Sequence, residues 1–135
     1  MKTNPLVSII MPAYNASAYI AEAIQSVLNQ TWTNWELIIV DDGSTDDTLQ
    51  IAQQFAVQDN RIQVYYQSNQ GVSSARNNAL QYIQGDFVQY LDSDDVLDEE
   101  KISTHIHVIQ ENSLTDLDIT YGICYNLTND GCKKE

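Results

Sequence analysis

Apolar residues in this chain occur in short continuous runs separated by stretches with helical spacing. The runs 6–11 and 36–40 are apolar on both faces of an extended chain, which predicts two buried parallel strands. Residues 62–66 alternate between apolar and polar side chains and predict a more peripheral strand, and 87–91 predict a fourth. Pro12 is expected to end the first strand and to open a loop.

Apolar stripes at spacings of three and four residues follow these strands and predict four helices. Their members are Ile20, Ala23, Ile24, Val27 and Leu28, then Leu49, Ala52, Phe55 and Ala56, then Val72, Ala75, Ala79, Leu80 and Ile83, and lastly Ile102, Ile106 and Ile109. We expect Ser17 and Ser44 to cap the first two helices and Gly85 to end the third.

Strands and helices therefore alternate along the chain, which predicts the α/β class. The expected architecture is an open, mostly parallel sheet with helices on both faces and right-handed crossovers. Residues 117–121 are a candidate fifth strand, and 128–135 are polar and expected to be irregular. Residues 1–135 are expected to form a single domain.

Composition restricts the partners. The 135 residues are 43% hydrophobic and carry a formal net charge of -13, which argues against nucleic acid or an anionic membrane as the main partner. No apolar run is long enough to span a membrane or to form a signal peptide. Cys124 and Cys132 are interpreted as free thiols in a reducing compartment, so we expect a cytoplasmic protein.

Three carboxylates follow the fourth predicted strand. Asp92 and Asp94 form an Asp-x-Asp pair, and Asp95 is adjacent. Closely spaced negative charges repel one another, and a divalent cation would relieve that repulsion. Oxygen ligands favour Mg²⁺, Mn²⁺ or Ca²⁺ over zinc. The alternative is a solvated acidic turn that caps the next helix.

Chemically distinctive residues also follow the other three strands, and ligands of open α/β sheets bind at that edge. They are Pro12, Tyr14 and Asn15, then Asp41, Asp42 and Gly43, then Gly71, Arg76 and Asn77. Tyr14 could stack on a base, and Asp42 could accept a hydrogen bond from a base imide. Arg76 could face a base carbonyl, a phosphate or the acidic loop. The chain lacks both the G-x-G-x-x-G motif after the first strand and the G-x-x-x-x-G-K-[ST] motif, so classic dinucleotide binding is disfavoured.

These motifs, in this order, resemble family 2 glycosyltransferases of the GT-A fold. The stretches concerned are VSIIMPAYN at 7–15, SVLNQT at 26–31, ELIIVDDGS at 36–44, GVSSARN at 71–77 and LDSDD at 91–95. The resemblance extends from about residue 5 to residue 101. It implies a Rossmann-like, nucleotide-sugar-binding half of such an enzyme.

The resemblance also implies a role for each matching position. The nucleotide site would comprise Pro12, Ala13, Tyr14, Asp42, Arg76 and Asp92. Tyr14 would lie against the base, Asp42 would hydrogen-bond it, and Arg76 would bind the nucleotide end of the donor. Asp92 would approach the ribose or sugar. Asp94 would ligate the Mn²⁺ or Mg²⁺ that bridges the diphosphate.

The implied reaction is transfer of a sugar, with inversion, from a nucleotide diphosphate donor to an acceptor hydroxyl. A UDP-sugar donor and a saccharide or lipid-linked acceptor are expected, as in polysaccharide biosynthesis. No residue of this chain is assigned as the general base, which in the family lies well downstream of the Asp-x-Asp motif. We therefore expect the chain to be the N-terminal portion of a longer enzyme, for which membrane association stays open. Uncovered apolar surface would favour self-association.

Three other interpretations remain open. The pocket could bind a nucleotide sugar without transferring it, because a base and an acceptor site are missing. The Asp clusters could instead be the surface of an acidic, cation-binding interaction domain. A nucleotidyltransferase would also use paired Asp and a metal, but such enzymes open with a Gly-rich basic loop, unlike residues 12–15.

Overall fold

A computed structural model describes residues 2–111, 124–128 and 131–134 of the chain. Its parallel strands are β1 (Val7–Ala13), β2 (Trp35–Asp42), β3 (Ile62–Gln67) and β4 (Phe87–Tyr90). Its helices are α1 (Ile20–Leu28), α2 (Thr48–Gln58), α3 (Val72–Ala79) and α4 (Lys101–Glu111). Three further strands, β5 (Asp95–Leu97), β6 (Cys124–Thr128) and β7 (Gly131–Lys134), form a separate antiparallel sheet.

The four parallel strands form one sheet in the order β3-β2-β1-β4. The central strand β1 pairs with β2 on one side, where Val7 faces Trp35, and with β4 on the other, where Val7 faces Phe87. The sheet separates two apolar layers. Helices α1, α2 and α4 pack on one face, and α3 packs on the other through Ala75 and Ala79. The predicted α/β class, with helices on both faces, is confirmed.

The first strand is longer than predicted, because Pro12 does not end it. Pro12 lies inside β1 opposite Val40. The Leu91 N–H donates to the Ile10 carbonyl. The backbone N–H and C=O groups of even-numbered residues of β1 therefore point towards β4, and their side chains do not. Pairing with β4 ends at Ile10, and the missing N–H of Pro12 therefore removes no sheet hydrogen bond.

The predicted helix caps are wrong. Helix α1 begins after Tyr19, and α2 begins after Asp47, in each case without a side-chain cap bond from that residue. The Ser17 and Ser44 side chains therefore cap neither helix. Asp46 accepts a bond from the Thr48 N–H at 3.0 Å, which satisfies a donor at the start of α2.

The predicted end of the third helix is also wrong. Helix α3 ends at Ala79, and Val72 and Leu80 are half-exposed. Gly85 is required instead where the chain passes close to β1: a Cβ there would lie 2.7 Å from the Ser8 nitrogen. Its N–H donates to Ser8 Oγ at 2.9 Å.

The C-terminal expectations have mixed outcomes. The expectation that 128–135 are irregular is wrong for the described part, because Thr128 ends β6 and Gly131–Lys134 form β7, which pairs antiparallel with β6. The candidate strand 117–121 lies outside the described residues. No helix among the described residues has both the length and the apolar character to cross a membrane.

Candidate functional site

A cavity of about 500 Å³ opens at the carboxyl edge of the parallel sheet. It is lined by Pro12, Ala13, Tyr14, Asn15, Ala16, Tyr19, Asp42, Asn69, Gly71, Val72, Asp92, Ser93 and Asp94. Six of the seven predicted site residues line this cavity; Arg76 does not, but it contacts Asp92. Tyr14 and Tyr19 contribute aromatic side chains to the lining, and Asp42, Asp92 and Asp94 contribute carboxylates.

Tyr14 contributes an aromatic ring to the cavity lining. It follows β1 directly, and its side chain is 50% exposed, so its ring has a face available to a ligand. The next residue, Asn15, has a φ of 46°, in the left-handed region that Asn tolerates better than most residues. The turn therefore begins immediately after Tyr14.

Asp42, at the end of β2, holds the loop that leads into α3. Its carboxylate accepts bonds from Gln67 Nε2 at 2.8 Å and from the N–H groups of Gln70 and Gly71 at 2.8 and 3.0 Å. Asn69 Nδ2 lies 3.4 Å from Asp42 Oδ2 and 3.1 Å from the Asp42 carbonyl. Burial would raise the pKa of Asp42, but these hydrogen bonds outweigh burial and lower it.

Several residues near the start of α3 contribute to the cavity. Gly71 has a φ of 99° there, and Asn69, two residues earlier, bonds directly to Asp42. Asn69 lines the cavity and was not predicted, nor were Tyr19, Val72 and Ser93. The nearby Gly71 motif was the available indication for Asn69 and Val72. No local sequence motif indicated Tyr19, because it reaches the cavity only through the folding of the turn after β1.

Arg76 links α3 to the acidic segment. Its Nη2 donates to Asp92 Oδ1 at 2.8 Å, and its guanidinium carbon lies 5.9 Å from the centre of the Tyr90 ring. The Arg76 Nε is buried and has no hydrogen-bond partner. Of the three roles that the sequence left open for Arg76, the structure shows contact with the acidic loop.

Asp92, Asp94 and Asp95 form a cluster of carboxylates, of which Asp92 and Asp94 line the cavity. One carboxylate oxygen from each lies within 4.8 Å of the others, a separation that a single ion could bridge. The Asp95 N–H donates to the Asp92 carbonyl at 3.1 Å, so the backbone turns and gathers the three side chains. Three hard oxygen donors suit Mg²⁺ or Mn²⁺.

The lining combines side chains suited to a nucleoside with side chains suited to a metal-bound diphosphate. The Tyr14 ring offers an apolar surface on which a base can stack. The carboxylate cluster would repel a diphosphate on its own, and a divalent cation held there would reverse that repulsion.

Comparison with known proteins identifies the family of the chain. Residues 8–129 match the sequence profile described as glycosyl transferase family 2. The chain belongs to glycosyl transferase family 2. A UDP-Glc:alpha-D-GlcNAc-diphosphoundecaprenol beta-1,3-glucosyltransferase, WfgD, of Escherichia coli is 41% identical over 122 residues, which are 90% of this chain and 47% of WfgD. The chain spans about half, or less, of the length of the curated family 2 relatives that it matches.

Solved structures of related enzymes share the fold. Staphylococcus aureus TarS 1–349 in complex with UDP-GlcNAc matches with a TM-score of 0.75 and 34% identity, over 79% of this chain and 32% of that chain. The mannosyltransferase PcManGT of Pyrobaculum calidifontis, in complex with GDP-Man and Mn²⁺, matches with a TM-score of 0.74 and 23% identity, over 90% and 35% of the two chains. The GT-A fold predicted for this family 2 chain is confirmed.

Proposed function

We propose that this chain supplies the donor site of an inverting glycosyltransferase, which transfers a sugar from a nucleotide diphosphate to an acceptor hydroxyl. The observation that carries the proposal is the cavity that joins the Tyr14 ring to the carboxylate of Asp94. A nucleoside diphosphate has the same two parts, an apolar base and a charged diphosphate. The UDP-GlcNAc bound to TarS and the UDP-Glc in the name of WfgD support a UDP-sugar as donor.

Each predicted residue has a place in this proposal. Pro12 and Ala13 form the floor beneath the nucleoside, and Tyr14 stacks on the base. Asp42 reads the base imide N–H by replacing its longest bond, the 3.4 Å contact from Asn69 Nδ2. Asn69 would keep its 3.1 Å bond to the Asp42 carbonyl, so the exchange would not release the loop.

Asp94 would hold Mn²⁺ or Mg²⁺ with help from neighbouring carboxylates. PcManGT, which shares this fold, forms a complex with Mn²⁺, and that complex supports a divalent ion. When bound, the ion supplies Lewis-acid stabilisation of the departing diphosphate. Asp92 orients the ribose or the sugar. Arg76 holds Asp92 through their 2.8 Å ion pair and thereby fixes that carboxylate at the nucleotide end.

A calorimetric titration tests the donor site. We expect the chain to bind UDP more tightly than dTDP or GDP when Mn²⁺ is present. Tyr14→Ala should weaken binding about tenfold, because stacking of a base on an aromatic ring contributes roughly 1–3 kcal/mol. Asp94→Asn should remove the effect of Mn²⁺. No binding of any of these nucleotides to the folded chain would refute the proposal.

Two matched variants control this titration. Tyr66→Ala removes an exposed tyrosine, 63% accessible on β3, that does not line the cavity. Asp98→Asn changes an exposed carboxylate that follows β5 and is likewise not part of the lining. Both should bind UDP and Mn²⁺ as the unchanged chain does.

A second candidate function is donor binding without transfer. Among the described residues, the only carboxylates that line the cavity are Asp42, Asp92 and Asp94, and each already has a role at the donor. None remains to deprotonate an acceptor as general base. Nucleotide binding without sugar transfer to any saccharide or lipid-linked acceptor would favour this alternative, and transfer by the chain alone would exclude it.

The cytoplasmic location, the membrane association of a longer enzyme and self-association stay predictions. Sedimentation of the purified chain over a concentration series would measure self-association directly.

A further inference from the structure

The direction of the Tyr14 ring depends on the backbone that carries it. Half of the side chain is exposed, so contacts with neighbouring side chains alone do not hold the ring in place. Tyr14 follows the last residue of β1, and Asn15 after it is in the left-handed region. Whatever fixes Asn15 therefore fixes the path of the chain on one side of Tyr14.

Asn15 is bound to the loop between β2 and α2 by three hydrogen bonds. Its N–H donates to Ser44 Oγ at 3.0 Å. Its Oδ1 accepts from the Thr45 N–H at 2.8 Å and from the Thr45 hydroxyl at 3.3 Å. The side chain of Asn15 thus serves two purposes, since it tolerates the positive φ and it ties two loops together.

Asp46 and Thr48 secure the next two residues of the same turn. The Ala16 N–H donates to Thr48 Oγ1 at 2.8 Å, and the Ser17 N–H donates to Asp46 Oδ2 at 3.2 Å. Burial would raise the pKa of Asp46, but bonds from Thr48 and Ser17 outweigh it and lower the pKa to about 2. Asp46 is therefore a charged acceptor at neutral pH, which strengthens these bonds.

We propose that Asn15, Thr45 and Asp46 are positioning residues that set the Tyr14 ring for stacking on the base of a nucleoside diphosphate. None of them needs to touch the base, because their hydrogen bonds act on the backbone that follows Tyr14. All three are exposed, so they can be replaced with little damage to the core. The inference rests on the proposed function, since it requires that the cavity bind a nucleotide.

A double-mutant cycle tests whether Asn15 acts through Tyr14. Glycine adopts the left-handed conformation readily but offers no side-chain acceptor to Thr45. We expect Asn15→Gly to weaken Mn²⁺-dependent UDP binding about tenfold in the unchanged chain, and less than about twofold when Tyr14 is already alanine. Calorimetry of the four proteins measures both differences.

Further variants separate positioning from general damage. Asn15→Asp keeps an acceptor and tolerates a positive φ, so it should restore most of the affinity for uncharged uridine that Asn15→Gly loses. Thr45→Val should weaken UDP binding a few-fold, whereas Thr33→Val, an exposed threonine before β2, should leave it unchanged. Mn²⁺ binding without nucleotide should be the same in Asn15→Gly and the unchanged chain.

The outcomes distinguish this inference from the function on which it rests. If the unchanged chain binds UDP and Asn15→Gly binds it equally well, the positioning role is wrong and the donor site stands. An equal loss with and without Tyr14 would also overturn the positioning role. If the unchanged chain binds no nucleotide, both proposals fail together.

Discussion

Arg76 brings a positive charge within 2.8 Å of Asp92, inside a group of three carboxylates. A cation at this position and a divalent ion compete for the same negative charge. At the residue scale, Arg76 should therefore have opposite effects on the two ligands of the proposed site. Its positive charge should weaken binding of the divalent ion alone and strengthen binding of the negatively charged diphosphate.

Arg76→Met should consequently bind Mn²⁺ alone a few-fold more tightly, because a nearby like charge is removed. The same variant should bind UDP in saturating Mn²⁺ more weakly than the unchanged chain. Titration of each ligand separately measures the two effects. Lys2→Met is the control, because it removes the same charge from a pair with Asp86 outside the cavity lining. Weaker binding of both ligands by Arg76→Met would indicate that Arg76 only maintains the shape of the site.

Asp46 makes a second residue-scale prediction. Its pKa is about 2 in the folded chain against an ordinary value of 3.8, so its charged form stabilises the fold. That contribution is present above about pH 4 and is lost as the pH falls through about 2. Because Asp46 is exposed, we expect Asp46→Asn to lower the free energy of unfolding by only about 1 kcal/mol at about pH 5. Urea unfolding should show this difference narrowing towards about pH 2.5.

Asp47→Asn is the matched control for Asp46. Asp47 is also exposed and makes no side-chain cap bond to α2. Its replacement should change the free energy of unfolding by less than about 0.5 kcal/mol at either pH. Equal effects at the two positions would show that the Asp46 hydrogen bonds contribute nothing specific.

At the scale of secondary structure elements, one buried hydrogen-bond network fixes β4 beside β1. Glu36 Oε1 accepts from Ser8 Oγ and from the Gln84 N–H, both at 2.6 Å. Ser8 Oγ in turn accepts from the Gly85 N–H at 2.9 Å. These bonds hold the segment before β4 against both central strands. They thereby fix where β4 lies and where the acidic residues that follow it are placed.

Gly85→Ala should weaken this junction. The added methyl group would lie 2.7 Å from the Ser8 nitrogen and 2.8 Å from the Leu6 carbonyl oxygen, and backbone atoms cannot yield as a side chain could. We expect the free energy of unfolding to fall by about 2 kcal/mol.

Gly71→Ala is the informative comparison. A Cβ at Gly71 would meet nothing within 4 Å, but its φ of 99° is strained for alanine. Gly71→Ala should therefore impair UDP binding, because Gly71 lines the cavity, whereas Gly85→Ala, outside the lining, should lower the free energy of unfolding more than it weakens UDP binding. Thermal unfolding and calorimetry on both variants separate the two effects.

The sequence predicted the positions of the elements better than their ends. β1 and β2 are buried on both faces, and such runs are visible without any structure. The prediction for Pro12 was wrong because its effect depends on where β4 stops. Ser44, Asp46 and Asp47 are all suitable helix caps by residue type. Which of them binds the start of α2 depends on contacts with a turn about thirty residues upstream. Such long-range contacts have no local pattern.

The site residues were predicted for a different reason. Tyr14, Asp42 and Asp94 are chemically conspicuous and each follows a strand, so the topology of a parallel sheet places them at one edge. Asn15 and Asn69 were not assigned roles, because an asparagine in a loop has many ordinary explanations. Only their hydrogen-bond partners distinguish them.

At the scale of the whole molecule, the net charge of -13 opposes any anionic ligand. Without a divalent ion, UDP should therefore bind a few-fold more tightly in about 200 mM KCl than in about 20 mM KCl, because salt screens the repulsion. Uridine carries no charge, and its affinity should not change. Calorimetry with both ligands makes the comparison, and equal salt responses would show that the net charge does not act at the cavity.

The position of β1 between β2 and β4 has a consequence for biosynthesis. β1 leaves the ribosome first among the strands, yet its second neighbour, β4, is the last of the parallel sheet to be made. At roughly 5–20 residues per second, one side of a strand that is wholly buried in the folded chain stays unpaired for several seconds. Throughout that interval the edge of β1 that later pairs with β4 is exposed and prone to association with other chains. We expect nascent chains halted before Phe87 to bind chaperones, and those that extend past α4 to release them.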